Sequence, residues 1–198
     1  TGHFSNITVG SGLEVEGFFR QAKLEDFDND GFMDLIYAGG THALYHNNGD
    51  HTFTEVPNAF PNNDTMHSFA TGDVDRDGQL DVYASYGDGY VTPDNQNEDV
   101  LWVNDGNDNN WIAFDLEGFQ SNMDAVGATV VNTGDFGTQV REVRAGEGYA
   151  ITRTSTSRVG PGSIKEVEEA MVQWPIGMDT DSENPDLDQY HKLLEVPG

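Results

Sequence analysis

Short apolar runs rich in Val, Ile, Tyr, Phe and Trp alternate along the chain with clusters of Gly, Asn and Asp. LIYAG (35–39), HALYH (42–46), VYASY (82–86) and NWIAFDL (110–116) are typical. Apolar runs this short, bounded by turn formers, predict β-strands, and their spacing predicts an all-β protein. Two stretches depart from the pattern. SIKEVEEAM (163–171) predicts one short helix. PDLDQYHK (185–192) predicts another, with Asn184 as its cap and Pro185 in its first position. No apolar run approaches the roughly 20 residues of a membrane span.

The pattern repeats. QAKLEDFDNDGFMDLIYAGG followed by HALYHNNGDHTFTEV is matched by FATGDVDRDGQLDVYASYG followed by DVLWVNDGNDNNWIAF. Each unit reads as strand, acidic loop, strand, hairpin turn, strand and outer strand. The extra length of the second unit falls in the polar stretch DGYVTPDNQNED (88–99). The repeat stops near residue 110, which divides the chain into a repeat region, 1–108, and a second β domain, 109–198. The join through NNWIAFDL carries no Pro/Gly/Ser linker, so the second domain is expected to pack rigidly. Trp111, Val130, Val143, Tyr149, Val172 and Trp174 are its expected core. HFSNITV (3–9) resembles TFTEV (52–56), the end of unit one, yet no repeat precedes it. It reads as an outer strand without a blade. A trimmed or processed chain would begin this way, at Thr1 and without a signal peptide.

Charge changes the picture most. Carboxylates outnumber Lys and Arg 35 to 9, a formal charge of −26. That surface repels nucleic acid and anionic lipid and suits bound cations. The chain has no cysteine, which excludes disulfides and thiol catalysis. The acid concentrates in DFDNDGFMD (26–34) and DVDRDGQLD (73–81), whose first residues lie 47 apart. Counting from the first aspartate, carboxylates stand at positions 1, 3, 5 and 9: Asp26, Asp28, Asp30 and Asp34, then Asp73, Asp75, Asp77 and Asp81. A glycine at position 6 permits a sharp turn, and the next residue, Phe32 or Gln79, offers its backbone carbonyl. Alternate carboxylates on a tight loop converge on one hard cation, and all-oxygen ligation favours calcium. Position 12 is Tyr37 or Ala84 rather than Glu, and the flanks are strands, so neither loop is an EF-hand.

At these residues the sequence resembles the FG-GAP/VCBS-type repeat of integrin-like β-propellers: DxDxDGxxD followed by an LYxNNGDxxF hairpin. The second half resembles the ASPIC/UnbV domain of cartilage acidic protein-like chains and their bacterial relatives. NNWIAFDLEG (109–118), SNMDAVGATVVN (121–132), REVRAGEGYAI (141–151) and VQWPIG (172–177) carry that likeness. Where that family has a Phe-Gly-Leu-Gly-like segment, this chain has RVGPG (158–162). The resemblance implies about two propeller-like blades followed by a β-sandwich-like domain. It also implies about two Ca2+ ions and an extracellular or cell-surface role in adhesion or assembly.

Other candidates weigh less. His42 and His46, four residues apart on a strand, lie about 13 Å apart and cannot share a zinc ion. No GxSxG-type nucleophile context occurs, and the obvious carboxylate pairs are committed to the loops, so no enzyme is expected. Trp102, Trp111 and Trp174 would stack on sugars if exposed, which makes a carbohydrate-binding module the alternative. Asn6 and Asn63 head N-glycosylation triplets. NDGNDNN (104–110) reads as a hairpin turn and DTDSEN (179–184) as a solvated loop. The expectation is therefore a secreted, non-enzymatic, calcium-binding structural or adhesion protein. It makes no nucleic-acid contact, has a glycan or protein ligand or a homo-oligomeric or filament partner, and self-assembles through residues 3–9.

Overall fold

The computed structural model describes residues 2–61, 64–87, 97–146 and 156–196. All of its regular structure is β, in fourteen strands and four sheets. Asn63, Tyr149 and most of the 88–99 stretch lie outside the described residues. Contacts divide the chain into two compact units. One comprises Thr1–Phe27, Phe32–Thr71 and Asp81–Val103; the other comprises Asp28–Gly31, Gly72–Leu80 and Asn104–Gly198.

In the first unit, β1 (Phe19–Glu25), β2 (Asp34–Gly39), β3 (Ala43–Asn47) and β4 (Phe53–Glu55) form an antiparallel meander in chain order. Tyr37, Ala43 and Tyr45 bury against Leu13, Leu35 and Phe53 on one side of it. The second repeat forms β5 (Met66–Gly72), β6 (Asp81–Tyr86) and β7 (Val100–Trp102), a sheet of three strands. Strand β1 inverts the usual alternation: Gln21, Lys23 and Glu25 are buried while Leu24 is 53% exposed. The buried set is satisfied on the spot. The Gln21 amide exchanges hydrogen bonds with the Phe69 backbone at 2.9 and 3.1 Å. Lys23 Nζ lies 2.7 Å from Glu25 Oε1 and donates to Thr71 Oγ1 at 2.8 Å. Buried polar groups of this kind persist only when paired.

In the second unit, β8 (Asn110–Glu117) lies between β11 (Thr156–Gly162) and β14 (Gln189–Leu194). A second sheet has the order β10 (Gly137–Glu142), β9 (Thr129–Gly134), β12 (Glu169–Gln173), β13 (Asp179–Glu183). Ile112, Phe114 and Leu116 from one sheet share a single cluster with Val130, Ala170 and Val172 from the other, a sandwich core. Of the expected core residues described, Trp111, Val130, Val143, Val172 and Trp174 are all buried.

Four expectations are corrected. NNWIAF (109–114), read as the outer strand of the second unit, instead enters β8, the central strand of the β11-β8-β14 sheet. Ile112–Phe114 are wholly buried there, a richer burial than an edge strand offers. PDLDQYHK is not helical: Asp188 takes a left-handed φ of 57°, and the chain continues into β14, parallel to β8. SIKEVEEAM is not helical either; it runs into β12, which pairs β9 and β13. Local capping signals worth about 1 kcal/mol yield to full ladder pairing and core burial. Residues 2–8 form no strand and are exposed.

Candidate metal centres in the two acidic loops

Each acidic loop joins two neighbouring strands of a repeat sheet, the first between β1 and β2 and the second between β5 and β6. Their backbones match at the positions that set the turn. The fourth residue is left-handed in both, at φ 57° for Asn29 and 62° for Arg76. The sixth is glycine at 94° for Gly31 and 93° for Gly78. Conformation alone favours glycine here. Space demands it too: a Cβ at Gly78 would penetrate the Trp111 indole, and one at Gly31 would lie 2.7 Å from Gln139 Nε2.

This turn gathers the carboxylates. Asp26, Asp28 and Asp30 place one ligand atom each within 4.8 Å of one another, as do Asp73, Asp75 and Asp81. Asp34 is 2% exposed and Asp81 1%. Asp34 Oδ2 accepts from the Phe27 amide at 3.0 Å and Oδ1 from the Asn47 amide at 2.8 Å, so position 9 ties the loop to the hairpin. Phe32, expected to give its carbonyl, is half-exposed, and its ring lies against Gly49 in that same hairpin. Gln79 is buried, and its Oε1 accepts from Asn29 Nδ2 at 3.1 Å.

Three participants were not legible in the sequence. His46 joins Asp28 and Asp34 in a further close triad, with Nδ1 3.3 Å from Asp34 Oδ1. Strand spacing excludes a metal shared with His42; the carboxylates beside His46 come from the acidic loop. Arg158 and Tyr190 come from β11 and β14. Asp73 Oδ2 receives Arg158 Nη2 and the Tyr190 hydroxyl, each at 2.5 Å, and the Gly78 amide at 2.8 Å. Arg158 Nη1 also reaches the Gln79 carbonyl at 3.5 Å. Burial works to raise the Asp73 pKa, but the Tyr190 hydrogen bond, the Arg158 charge and the Gly78 amide outweigh it and hold the carboxyl below its ordinary value. Burial and the hydrogen bond to Asp73 push the Tyr190 phenol up.

The RVGPG segment, where the chain departs from the resembled pattern, supplies more than Arg158. The Gly162 amide donates to the Asn29 carbonyl at 2.9 Å, and Gly160 packs so closely on Asn29 that a Cβ would collide with its backbone. The NDGNDNN turn is used in the same way: Asn107 and Asn109 donate to the Asp28 carbonyl at 2.6 and 2.9 Å.

Residues 26–84 match the family of FG-GAP-like repeats. Residues 118–197 match the ASPIC and UnbV family. No curated protein matches the chain.

Proposed function

Because the chain carries an FG-GAP-like repeat followed by an ASPIC/UnbV domain, we propose that it is an extracellular, non-enzymatic structural or adhesion module held in shape by calcium. The observation that carries this reading is the convergence of three carboxylates within 4.8 Å in each loop. Carboxylates so close repel one another or take up protons unless a cation joins them. The donor set fits a hard dication. Asp26, Asp28, Asp30 and Asp34 would hold it in the first loop, with the Phe32 carbonyl, and Asp73, Asp75, Asp77 and Asp81 in the second, with that of Gln79. The bound ion supplies positive charge and ligation; it is a structural tie between the strands that flank each loop. Thermal unfolding tests the reading. Calcium at 100–1,000 times its Kd adds about 3–4 kcal/mol per site. An unfolding midpoint unmoved by chelator removes the proposal.

Self-assembly is the finer part of this function. Phe4 is fully exposed, Val9 is 92% exposed, and residues 2–8 join no sheet. Among the described residues, the second repeat's sheet carries three strands where the first carries four. Residues 3–9 of one copy adding a strand to the sheet of the next is the assembly these features support. Light scattering in calcium is expected to show particles for the full chain and monomers after deletion of residues 1–9. Monomers in both cases defeat it.

One observation favours a second reading, carbohydrate binding. A cleft of about 340 Å³ in the first unit is lined by His42, Glu55, Phe60 and Asp64, among others. Phe60 packs edge-on to Trp102, and His42 contacts Phe60 and Tyr86. An aromatic face beside carboxylates suits sugar hydroxyls. A glycan array with Phe60→Ala as control separates the readings: loss of a bound glycan in the variant supports carbohydrate binding.

A further inference from the structure

The second acidic loop carries a positive charge of the protein's own. Arg158 is largely buried, with its side chain 13% exposed, against an Asp73 side chain that is fully buried. Its guanidinium spans two of the oxygens the loop would offer a metal. One nitrogen meets Asp73 Oδ2 at 2.5 Å and the other the Gln79 carbonyl at 3.5 Å. Tyr190 completes the arrangement: its hydroxyl joins both Asp73 and Arg158. The loop's own arginine is turned elsewhere. Arg76 lies with its guanidinium carbon 3.7 Å from the centre of the Tyr190 ring and bonds Asp115 Oδ2 at 3.1 Å.

We propose that Arg158 is a resident counter-cation of the second loop, which holds Asp73 and the Gln79 carbonyl together and against which calcium must compete. The proposal rests on the calcium reading above. Its physical basis is the sum of charges. A guanidinium beside Asp73 offsets one of the loop's four carboxylates before any metal arrives. The loop therefore keeps its turn with less repulsion and gains less from a dication. Asp73 Oδ1, which Arg158 does not hold, accepts the Asp77 amide at 3.1 Å, while Oδ2 accepts the Gly78 amide at 2.8 Å beside Arg158 and Tyr190. Asp73 can thus turn one oxygen to a metal while the other stays with Arg158 and Tyr190, and the penalty on calcium is electrostatic rather than steric. Removing the positive charge acts twice in the same direction. The metal-free loop loses the partner of a buried carboxylate, and the metal-bound loop loses a repulsion.

The test is calorimetric titration of calcium into Asp28→Ala, in which only the second loop remains competent, with and without Arg158→Gln. The expected result is about tenfold tighter binding in the double variant, the effect of one unit charge about 6 Å from a dication at the dielectric constant of water. Arg158→Lys, which keeps the charge and loses the fork, is expected to stay within about threefold of Asp28→Ala. Equal or weaker binding in the Arg158→Gln variant overturns the proposal. A wild-type chain that takes up no calcium overturns the calcium reading itself, a different failure from calcium uptake indifferent to residue 158. Should Arg158→Gln not fold, the wild-type chain answers by NMR. The Arg158 Nε–H resonance, assigned by its loss in Arg158→Lys, is expected to shift as calcium fills the second loop. A resonance that stays fixed while that loop fills overturns the proposal.

Discussion

Asn29 and Arg76 occupy the same position in two loops of the same backbone shape, and they do opposite things. Asn29 is buried, and its amide donates to the Gly78 carbonyl and to Gln79. Arg76 is exposed and lies over the Tyr190 ring. The sixth-position glycines differ likewise. Gly31 faces a flexible glutamine and the Gly160 carbonyl; Gly78 faces the rigid indole of Trp111. The repeat motif thus dictates turn geometry and the convergence of carboxylates, because those follow from residues within nine positions of one another. What packs on each loop from outside the repeats is supplied by β8, β10, β11 and β14, far along the chain. Duplicated motifs need not be duplicated sites.

The largest effect expected from this difference is on the glycines. Gly78→Ala combines a left-handed alanine with a collision against Trp111, together about 3 kcal/mol in urea unfolding. Gly31→Ala carries the backbone term, but the Gln139 amide can swing aside, so about 1–2 kcal/mol is expected. Equal losses at the two positions would break the comparison.

Next in size is the loss of single sites. Asp28→Ala is expected to abolish calcium uptake by the first loop and Asp75→Ala by the second, each removing about 3 kcal/mol of calcium-dependent stability at saturating metal. His42→Lys is expected to leave uptake unchanged, since His42 contacts Phe60 and Tyr86 and belongs to none of the acidic triads.

A carboxylate outside the loops gives the contrast a reference. Glu195 is buried, and its Oε2 accepts the amides of Phe119, Gln120 and Ser121 at 2.6–2.7 Å, with the Ser121 hydroxyl on Oε1 at 2.8 Å. Burial opposes ionisation there, but the donors outweigh it and hold the pKa below the ordinary value. A depressed pKa means that Glu195 adds stability above the unfolded-state value, near the ordinary carboxylate range, and loses it as pH falls through the folded value. Glu195→Gln is therefore expected to lower the unfolding midpoint at neutral pH and flatten its decline in acid. Both effects should be the same with calcium and with chelator, because here the chain supplies its own donors.

The smallest effect is expected inside the sandwich. Asn132 is wholly buried, and among the described residues neither end of its amide finds a partner. Asn132→Val is expected to raise stability by about 1 kcal/mol and to leave calcium uptake unchanged.

How much of this could be read from the sequence follows the same division between local and distant. The loops, their glycines and the hairpin after β2 are contiguous signals, and the turn chemistry that produces them is short-range. NNWIAF follows its Asn/Asp/Gly turn as TFTEV does in the first unit and so reads as an outer strand; the packing of Ile112 and Phe114 on Val130, Ala170 and Val172 lies too far along the chain to show there. Residues 189–194 carry a helix start signal just upstream, yet a parallel partner far back in the chain claims them. Gln21, Lys23 and Glu25 are buried while Leu24 is exposed because they find polar partners at Phe69 and Thr71, 46–48 residues away. Arg158 lies 85 residues from Asp73, and no spacing rule joins them. The one available hint was that RVGPG broke the resembled pattern.

A count of bound metal is the most direct test of the proposal of one calcium ion in each acidic loop. Native mass spectrometry of the chain in calcium is predicted to give two ions for the wild type, one for Asp28→Ala and one for Asp75→Ala, at an unchanged fold. A wild-type chain carrying no calcium, or single-site variants that still carry two ions, would contradict it.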